Sequence, residues 1–227
     1  MSLFRSIASA VRHLLDIDSA FQDALERGYA NLTAIARLMK PRVEALVGDD
    51  VELETIVTSL KRLRGRYNIT PAPVAKIISQ STVNLRTDLS KLSLKRNANT
   101  RTAVRLLMSR YRGRFLQVLE GVSSMTIIYE NKLHERIKRS FQRSQIVAEE
   151  TNLAALTIIS PKEISTTPGC INAILQRLAR RGINVEEVVS CYTDTILVIK
   201  LIDCGKAFDA INELIIECRH SLKNKAN

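Results

Sequence analysis

The basic side chains in the middle of this chain have the most evident capacity for chemistry. Residues 61–114 contain 14 Lys or Arg residues and one acidic residue, Asp88. Because like charges at this density repel one another, the span needs a counter-charge. Lys and Arg release condensed counterions when they bind the phosphates of a polyanion. The span therefore predicts a surface for nucleic acid or another polyanion, with a solvated face or a docking surface for a partner protein as alternatives.

The segment that leads into this span has the pattern of a DNA-reading unit. Residues 34–38 and 51–64 fit the positioning and recognition helices of a helix-turn-helix or winged-helix domain. Short polar side chains and an arginine on the second helix suit contacts in the major groove. Glu52 and Glu54 would face phosphates, so a plain helical packing or dimerisation unit is the alternative. The candidate nucleic-acid-binding residues are Thr55, Ser59, Lys61, Arg62, Arg64, Arg66, Arg101 and Arg105.

Local signals place the helices of residues 1–70. Ser19 with Gln22 fits a capping box at the start of a helix, and Asn31 can cap the next one. Pro41 is expected to break or kink that helix, because the residue before a proline is pushed out of the α region. The turn after it, at Gly48, is expected to lead into the helix that carries the candidate DNA contacts.

No set of residues typical of catalysis is found. The three histidines, His13, His134 and His220, fall in different segments, so a local metal motif is absent. The four cysteines have no C-x-x-C spacing, and the sequence has no P-loop and no G-x-S-x-G. Residues 149 and 150, both Glu, are expected to be a solvated linker. The sequence predicts a protein that is not an enzyme and that needs neither a cofactor nor a metal.

Length and composition exclude several other classes. The chain has 227 residues, of which 45% are hydrophobic, enough for a packed core rather than global disorder. Its apolar runs are far shorter than the ~18 residues that a membrane span requires. Residues 1–17 are interrupted by basic side chains and lack the apolar region of a signal peptide. These observations predict a cytoplasmic protein without a membrane partner.

The rest of the chain repeats one order of elements. Residues 71–148 and residues 149–227 each have the pattern strand, helix, strand, strand, helix. The sequence therefore predicts an α+β protein, in which a helical domain of residues 1–70 precedes two ferredoxin-like modules. Each module leaves an open sheet edge, which pairing between copies would cover. At least a homodimer is expected.

The second of these modules resembles an ACT domain, the amino-acid-sensing module, and above all the regulatory region of aspartate kinases. The resemblance covers about residues 150–218. The segments that carry it are ALTII at 155–159, TPGCINAIL at 167–175, LARRGINVE at 178–186 and SCYTDTI at 190–196. The first module is then a diverged ACT-like module without the Pro-Gly loop. No kinase portion is present, which excludes a complete aspartate kinase.

The resemblance implies a free amino acid as effector, bound at the loop between the first strand and the first helix. Gly169 lets a ligand approach the backbone, and a helix that begins at Pro168 offers N–H groups and a positive dipole end to a carboxylate. Asn172 and Asn184 could bond the ligand's polar groups. A role in dimerisation alone is the alternative. The candidate ligand residues are Thr167, Pro168, Gly169, Cys170, Ile171, Asn172, Asn184 and Val185.

Two functions follow as hypotheses. The first is an amino-acid-responsive transcriptional regulator, in which the ligand changes the dimer geometry and thereby the spacing of two basic surfaces on DNA. The second is a non-catalytic regulatory subunit that binds an amino acid and docks on a biosynthetic enzyme through its basic span. A coupling free energy of ~1–3 kcal/mol between effector and partner is enough for either response.

Overall fold

Four amphipathic helices build the N-terminal unit, Met1–Pro71. A computed structural model describes residues 3–26, 28–66 and 72–223 of the chain. The helices are α1 (Ile7–Asp16), α2 (Ser19–Glu26), α3 (Leu32–Val47) and α4 (Leu53–Leu63). Each contributes one apolar stripe to a shared core, in which Leu15, Met39 and Leu60 are fully buried. The helical N-terminal part that the sequence predicts is confirmed.

The ends of these helices follow the local sequence, with one difference. Asn31 caps α3, since its side-chain oxygen accepts the N–H of Ala34 at 3.1 Å. At the start of α2, Asp18 accepts the backbone N–H groups of Ala20 and Phe21, and the side chain of Ser19, which was expected to form a capping box, lies outside the described part of the chain. Pro41 lies inside α3 and does not break it. The proline costs one backbone hydrogen bond, and burial of Met39 and Val43 on either side of it holds the helix together.

The second unit, Ala72–Asn227, is an antiparallel sheet with helices on one of its faces. The strands are β1 (Thr82–Lys95), β2 (Leu116–Glu120), β3 (Ser124–Glu130), β4 (Ile146–Ile159), β5 (Glu187–Cys191) and β6 (Asp194–Lys200). Their order in the sheet is β2-β3-β1-β4-β6-β5. The helices are α5 (Ala72–Ser79), α6 (Ala98–Arg110), α7 (His134–Lys138), α8 (Cys170–Arg180) and α9 (Cys204–Lys223). The predicted α+β fold class is confirmed.

The two longest strands, β1 and β4, pair in the centre of this sheet with an internal two-fold symmetry. Leu89 lies opposite Leu153, and these residues hold equivalent positions in the two strands. On either side of this pair, Arg86 lies opposite Ala155 and Lys91 opposite Glu150. A shift of 64 positions along the sequence converts one of these two pairs into the other. The two halves of the unit are therefore related by an approximate two-fold axis at Leu89 and Leu153.

Each central strand bends next to this axis, through a residue with positive φ. Asp88 has φ 59° and Asn152 has φ 58°, and the register of the two strands shifts at the same place. Asp and Asn tolerate the left-handed conformation better than other non-glycine residues, because their side chains bond locally. The sequence predicts a bulge or turn in the first strand near residues 90–91. One register shift lies there, between Leu89 and Lys91, and others lie between Arg86 and Leu89 and between Ser93 and Leu94.

Two elements differ from the sequence-based expectation. Helix α5 was not predicted; it packs into the core around α8 and α9, where Val74 and Ile78 are buried. Strand β4 begins at Ile146, so Glu149 and Glu150 lie inside it and are not a linker. Both errors have one cause, since charged or proline-containing segments were assigned to connections although tertiary pairing and packing give them regular structure.

The bend at Asn152 gives a test of the central strand pair. We expect Asn152→Val to lower the free energy of unfolding by about 1–2 kcal/mol, because a β-branched residue is strained at φ 58°. Asn152→Gly should be close to neutral. Urea unfolding measures both, with Thr151→Val, at an exposed neighbour without positive φ, as the control. Equal effects of the valine substitutions at both positions would contradict the assigned bend.

Candidate functional site

The predicted effector loop lies between β4 and α8. Gly169 precedes the first residue of α8 with φ +96°, a conformation in which any side chain is strained. The helix starts at Cys170, two residues later than the sequence predicted, because this turn intervenes. The first N–H groups of α8 have no partner within the helix and lie at the positive end of its dipole. The loop therefore has the electrostatics that suit a carboxylate.

The surroundings limit where a ligand could sit. A Cβ placed on Gly169 would lie 3.5 Å from Cγ2 of Val74 in α5, so α5 covers one side of the turn. Cys170 is 1% exposed, and burial raises the pKa of its thiol. This thiol is therefore a small core group and not a reactive thiolate. Pro168, Gly169 and Asn172 are exposed on the remaining side.

The eight candidate ligand residues form two separate groups. Thr167 and Ile171 are half-buried near the start of α8, next to the residues just described. Asn184 and Val185 follow the other end of this helix. Because α8 has 11 residues, its ends are about 16 Å apart. Within one chain, the structure does not bring Asn184 together with Gly169.

Asn184 instead belongs to a charged cluster around a buried lysine. The amide of Asn184 donates to Oε1 of Glu186 at 3.1 Å. Lys91 Nζ lies 3.3 Å from Glu150, 3.4 Å from Glu186 and 3.4 Å from Glu187, and its side chain is 8% exposed. Burial opposes the positive charge, but the carboxylates outweigh it and raise the pKa of Lys91. Sequence reasoning missed this cluster, although strand alternation puts Lys91 on the same face as Leu89.

A second cluster has the opposite balance of charge. Glu130 lies 3.7 Å from Arg86, 3.6 Å from Arg114 and 2.9 Å from Lys132. The hydrogen bond from Lys132, together with the charges of the arginines, lowers the pKa of Glu130. Arg86 also lies over the ring of Phe115, 5.1 Å from its centroid. Part of the basic span thus finds its counter-charge in acids that follow it in the sequence.

A third group of polar side chains connects α7 to β3 and β4. The Tyr129 hydroxyl lies 3.1 Å from Nδ1 of His134, whose Nε2 lies 2.7 Å from Oε1 of Glu149. Lys138 donates to the same oxygen at 2.8 Å. The hydrogen bonds to Glu149 lower its pKa, and the bond from Lys138 has a larger effect than the bond from His134. Burial raises the pKa of Tyr129. Tyr129 is fully buried, so its hydroxyl cannot reach a substrate and contributes to packing, whereas Glu149 at the other end of the group is exposed.

The candidate nucleic-acid-binding residues lie in both units. On α4, Thr55 is exposed, whereas Ser59 is buried and donates to the carbonyl of Thr55 at 2.9 Å. Ser59 was expected on the outward face, so this assignment is wrong. Its hydroxyl bonds to a backbone carbonyl one turn earlier in the same helix, so the buried serine has no unpaired polar group.

The four basic residues at the end of α4 are exposed. Arg64 donates to the carbonyl of Gly28 at 3.2 Å. Among residues 3–26, 28–66 and 72–223, no carboxylate forms an ion pair with Lys61, Arg62, Arg64 or Arg66. In the second unit, Arg101 lies on α6 and pairs with Glu120 at 3.1 Å. Arg105, also on α6, donates to Thr102 at 3.4 Å.

The described part of the chain has neither a candidate metal site nor a candidate membrane-spanning helix. No group of three or more His, Cys, Asp or Glu residues could hold a metal ion there. No described helix is long and apolar enough to cross a membrane. A cytoplasmic location stays a prediction.

Comparison with known proteins shows the class of fold. No known family model matches the sequence, and no curated protein does. The regulatory subunits of aspartate kinase from Thermus thermophilus and Thermus flavus have similar structures, each with a TM-score of 0.50, at 16% and 15% identity. Each match covers 58% of this chain and 95% of the subunit. The sequence-based resemblance to this regulatory region is thereby confirmed at the level of the fold.

A complete enzyme gives the same result. Aspartate kinase from Synechocystis matches with a TM-score of 0.50 at 16% identity, over 60% of this chain. The chain spans 27% of the length of that kinase. At these identities the similarities establish the fold of the second unit, and function has to be argued from this chain's own residues.

The polar group around Glu149 gives a pH-dependent prediction. A carboxyl group whose pKa is lowered by folding stabilises the protein above its ordinary pKa of 4.5, and this contribution is lost as the pH falls through the folded value. We expect Glu149→Gln to reduce the steepness with which the unfolding free energy falls below about pH 4.5. Urea titrations at several pH values measure it. Glu135→Gln, at an exposed glutamate of α7, is the control and should keep the steeper dependence.

Proposed function

We propose that this chain is a non-catalytic regulatory protein that binds a free amino acid and transmits that event to DNA. The observation that carries the proposal is its second unit, which has the fold of an aspartate kinase regulatory subunit over 95% of that subunit's length. The helical unit that precedes it carries four exposed cations at the end of α4, none of which pairs with a carboxylate of the described residues. A sensor and a polyanion-binding surface are thus joined in one chain.

The effector site of this proposal is the start of α8. Exposed Asn172 and the N–H groups of the first turn offer donors to a ligand carboxylate, and Gly169 leaves room at the backbone. One amino acid cannot also reach Asn184 of the same chain, at the other end of the helix. If both groups contact the ligand, Asn184 and Val185 must come from a second copy, as the predicted homo-oligomer would allow.

The DNA-binding surface of this proposal is the exposed end of α4. Lys61, Arg62, Arg64 and Arg66 fall within six residues, and none of them is neutralised by a described carboxylate. A phosphate that binds these cations therefore does not have to replace a carboxylate of the described residues, and its binding is not weakened by the loss of an ion pair. Thr55 on the same helix is exposed and can donate a hydrogen bond to a phosphate or a base edge.

The second candidate function is docking on a biosynthetic enzyme. It is favoured by α6, where Leu106 and Met108 are 66% and 49% exposed next to Arg105. Large apolar side chains among basic ones suit an acidic protein surface better than a phosphate backbone. In this case the basic residues of α6, and not those of α4, would carry the interaction.

The DNA proposal predicts a specific effect on salt dependence. The combined substitutions Lys61→Gln, Arg62→Gln and Arg66→Gln should weaken binding to mixed-sequence duplex DNA. The slope of log K against log salt concentration should fall by about 0.9 for each lost phosphate contact. Mobility shifts over a salt series give both quantities.

A variant with the same loss of charge on the other unit serves as the control. Lys162→Gln, Lys206→Gln and Lys223→Gln replace three exposed lysines and should leave the slope unchanged. Absence of any shift for the unsubstituted chain at low salt would contradict DNA binding and leave docking on an enzyme.

The sensor proposal predicts stabilisation by an amino acid. Because a ligand that binds the folded state raises its stability, one or a few of the standard amino acids at millimolar concentration should raise the melting temperature. Asn172→Ala should weaken that ligand's binding about tenfold, by removing one hydrogen bond to a charged group. Asn212→Ala, at an exposed residue of α9, is the control. If no amino acid shifts the transition, the unit has a role in dimerisation only.

A further inference from the structure

Helix α3 has apolar residues on two of its faces. The inner face packs into the core of the N-terminal unit through buried residues such as Ala36, Met39 and Val43. The second face, here named the outer stripe, carries no part of that core. Its members are all exposed and are Ala34, Leu38, Pro41 and Ala45. Helical spacing puts these four residues in one row, on the side of α3 away from the buried residues.

The spacing of the outer stripe is that of a contact between two helices. Steps of four, three and four residues are the a and d positions of a heptad repeat, which face a partner helix. From Ala34 to Ala45 the row is about 16 Å long, which matches about three turns of a second helix. Leu3 donates its backbone N–H to the carbonyl of Leu46 at 3.0 Å, so a further exposed leucine lies at this end of α3.

The composition of the outer stripe favours a contact with another protein. Ala34, Pro41 and Ala45 lose no rotamer freedom when they are covered, so their burial is not offset by side-chain entropy. Leu38 is 69% exposed. A leucine that projects from a row of small side chains can insert between the side chains of a facing helix and act as the anchor of the contact.

Arginines flank the outer stripe on both sides. Helical spacing places Arg37 on one side of the row and Arg42 on the other, and both are exposed. Within residues 3–26, 28–66 and 72–223, neither arginine forms an ion pair with a carboxylate. Residues that flank a helical seam select its partner, because they meet the flanking residues of the other helix. Two arginines therefore fit a helix whose own seam is flanked by Asp or Glu.

The same arginines disfavour a second copy of this chain as the occupant. An antiparallel α3 from another copy would bring Arg37 against Arg42, and a parallel one would bring each arginine against its equivalent. Cations would face cations in both directions. A lipid surface also fits less well, because helices that lie on membranes insert several large apolar side chains, and Leu38 is the one large side chain of this row.

We propose that the outer stripe of α3 docks an amphipathic helix of a partner protein, with Leu38 as the apolar anchor and with acidic residues of that helix paired to Arg37 and Arg42. The apolar row supplies the contact, and the two arginines select the partner by its charge. The docking site depends neither on the effector site at α8 nor on DNA binding at the end of α4, so either can fail without the other.

Two model helices test the selection by charge. Each is a synthetic peptide of about three heptads with Leu at a and d. One peptide has Glu at e and g and the other has Lys there, so like charges keep each peptide from pairing with itself. Fluorescence anisotropy of the labelled peptides measures binding to the full chain. We expect the Glu peptide to bind saturably at low salt, and the Lys peptide to bind at least about tenfold more weakly.

Substitution of the anchor tests the apolar contact. Leu38→Ala should raise the dissociation constant of the Glu peptide about tenfold, because it removes the large side chain of the row. Leu106→Ala, at a leucine of α6 with 66% exposure, is the matched control and should leave binding unchanged. The reverse result would assign the peptide to α6 and overturn the docking site on α3.

Reversal of the flanking charges should change which peptide is preferred. Arg37→Glu with Arg42→Glu should bind the Lys peptide more tightly than the Glu peptide. Lys162→Glu with Lys206→Glu changes the net charge by the same amount at other exposed sites and should keep the original preference. If circular dichroism shows that the arginine double reversal is unfolded, Arg37→Ser with Arg42→Ser should bind the two peptides equally.

Three results would overturn the proposal. The first is a Glu peptide that does not bind saturably, or a preference that follows net charge alone in both reversal variants. The second is binding to vesicles of phosphatidylcholine and phosphatidylserine that Leu38→Ala abolishes while the peptide is unaffected, which would assign the outer stripe to a membrane. The third is self-association, measured by sedimentation velocity, that Leu38→Ala abolishes, which would assign the stripe to pairing between copies.

Discussion

The pairing of β1 with β4 is the interaction on which the rest of the second unit depends. The two 14-residue strands meet at Leu89 and Leu153, bend there through Asp88 and Asn152, and thereby join two half-sheets into one. Each strand serves both halves, so neither half has a complete set of strands without the other. Under the proposed function, an effector bound to one half could therefore act on the other half through this strand pair.

The same pairing decides where charge is tolerated. Lys91 is nearly buried in the sheet and is stable there because carboxylates from β4 and from the start of β5 surround it. In the other half, Arg86 and its neighbours surround Glu130. The two halves thus carry clusters of opposite net charge. The charge distribution of the sheet therefore lacks the approximate two-fold symmetry of its backbone.

Two features of the chain bear on function at different levels of structure. At the start of α8, the free N–H groups that could bind a carboxylate depend on local conformation only. Gly169 and the first helical turn present them without help from distant residues. The positive charge at the end of α4 follows from the sequence alone, since four cations fall within six residues. In the proposed function, the link between effector and partner is the part that requires assembly of more than one copy.

The sequence by itself determined the helical and sheet periodicities, the Pro-Gly turn before α8, the Asn31 cap and the concentration of positive charge, because each depends on neighbours within a few positions. It also determined the resemblance to a regulatory fold. Only the tertiary structure decided that α5 joins the core, that Glu149 and Glu150 lie inside a strand, that Ser59 is buried and that Asn184 is far from Gly169. These outcomes depend on contacts between residues that are distant in sequence, and the periodicity of a single segment contains no information about the segment that will pair with it.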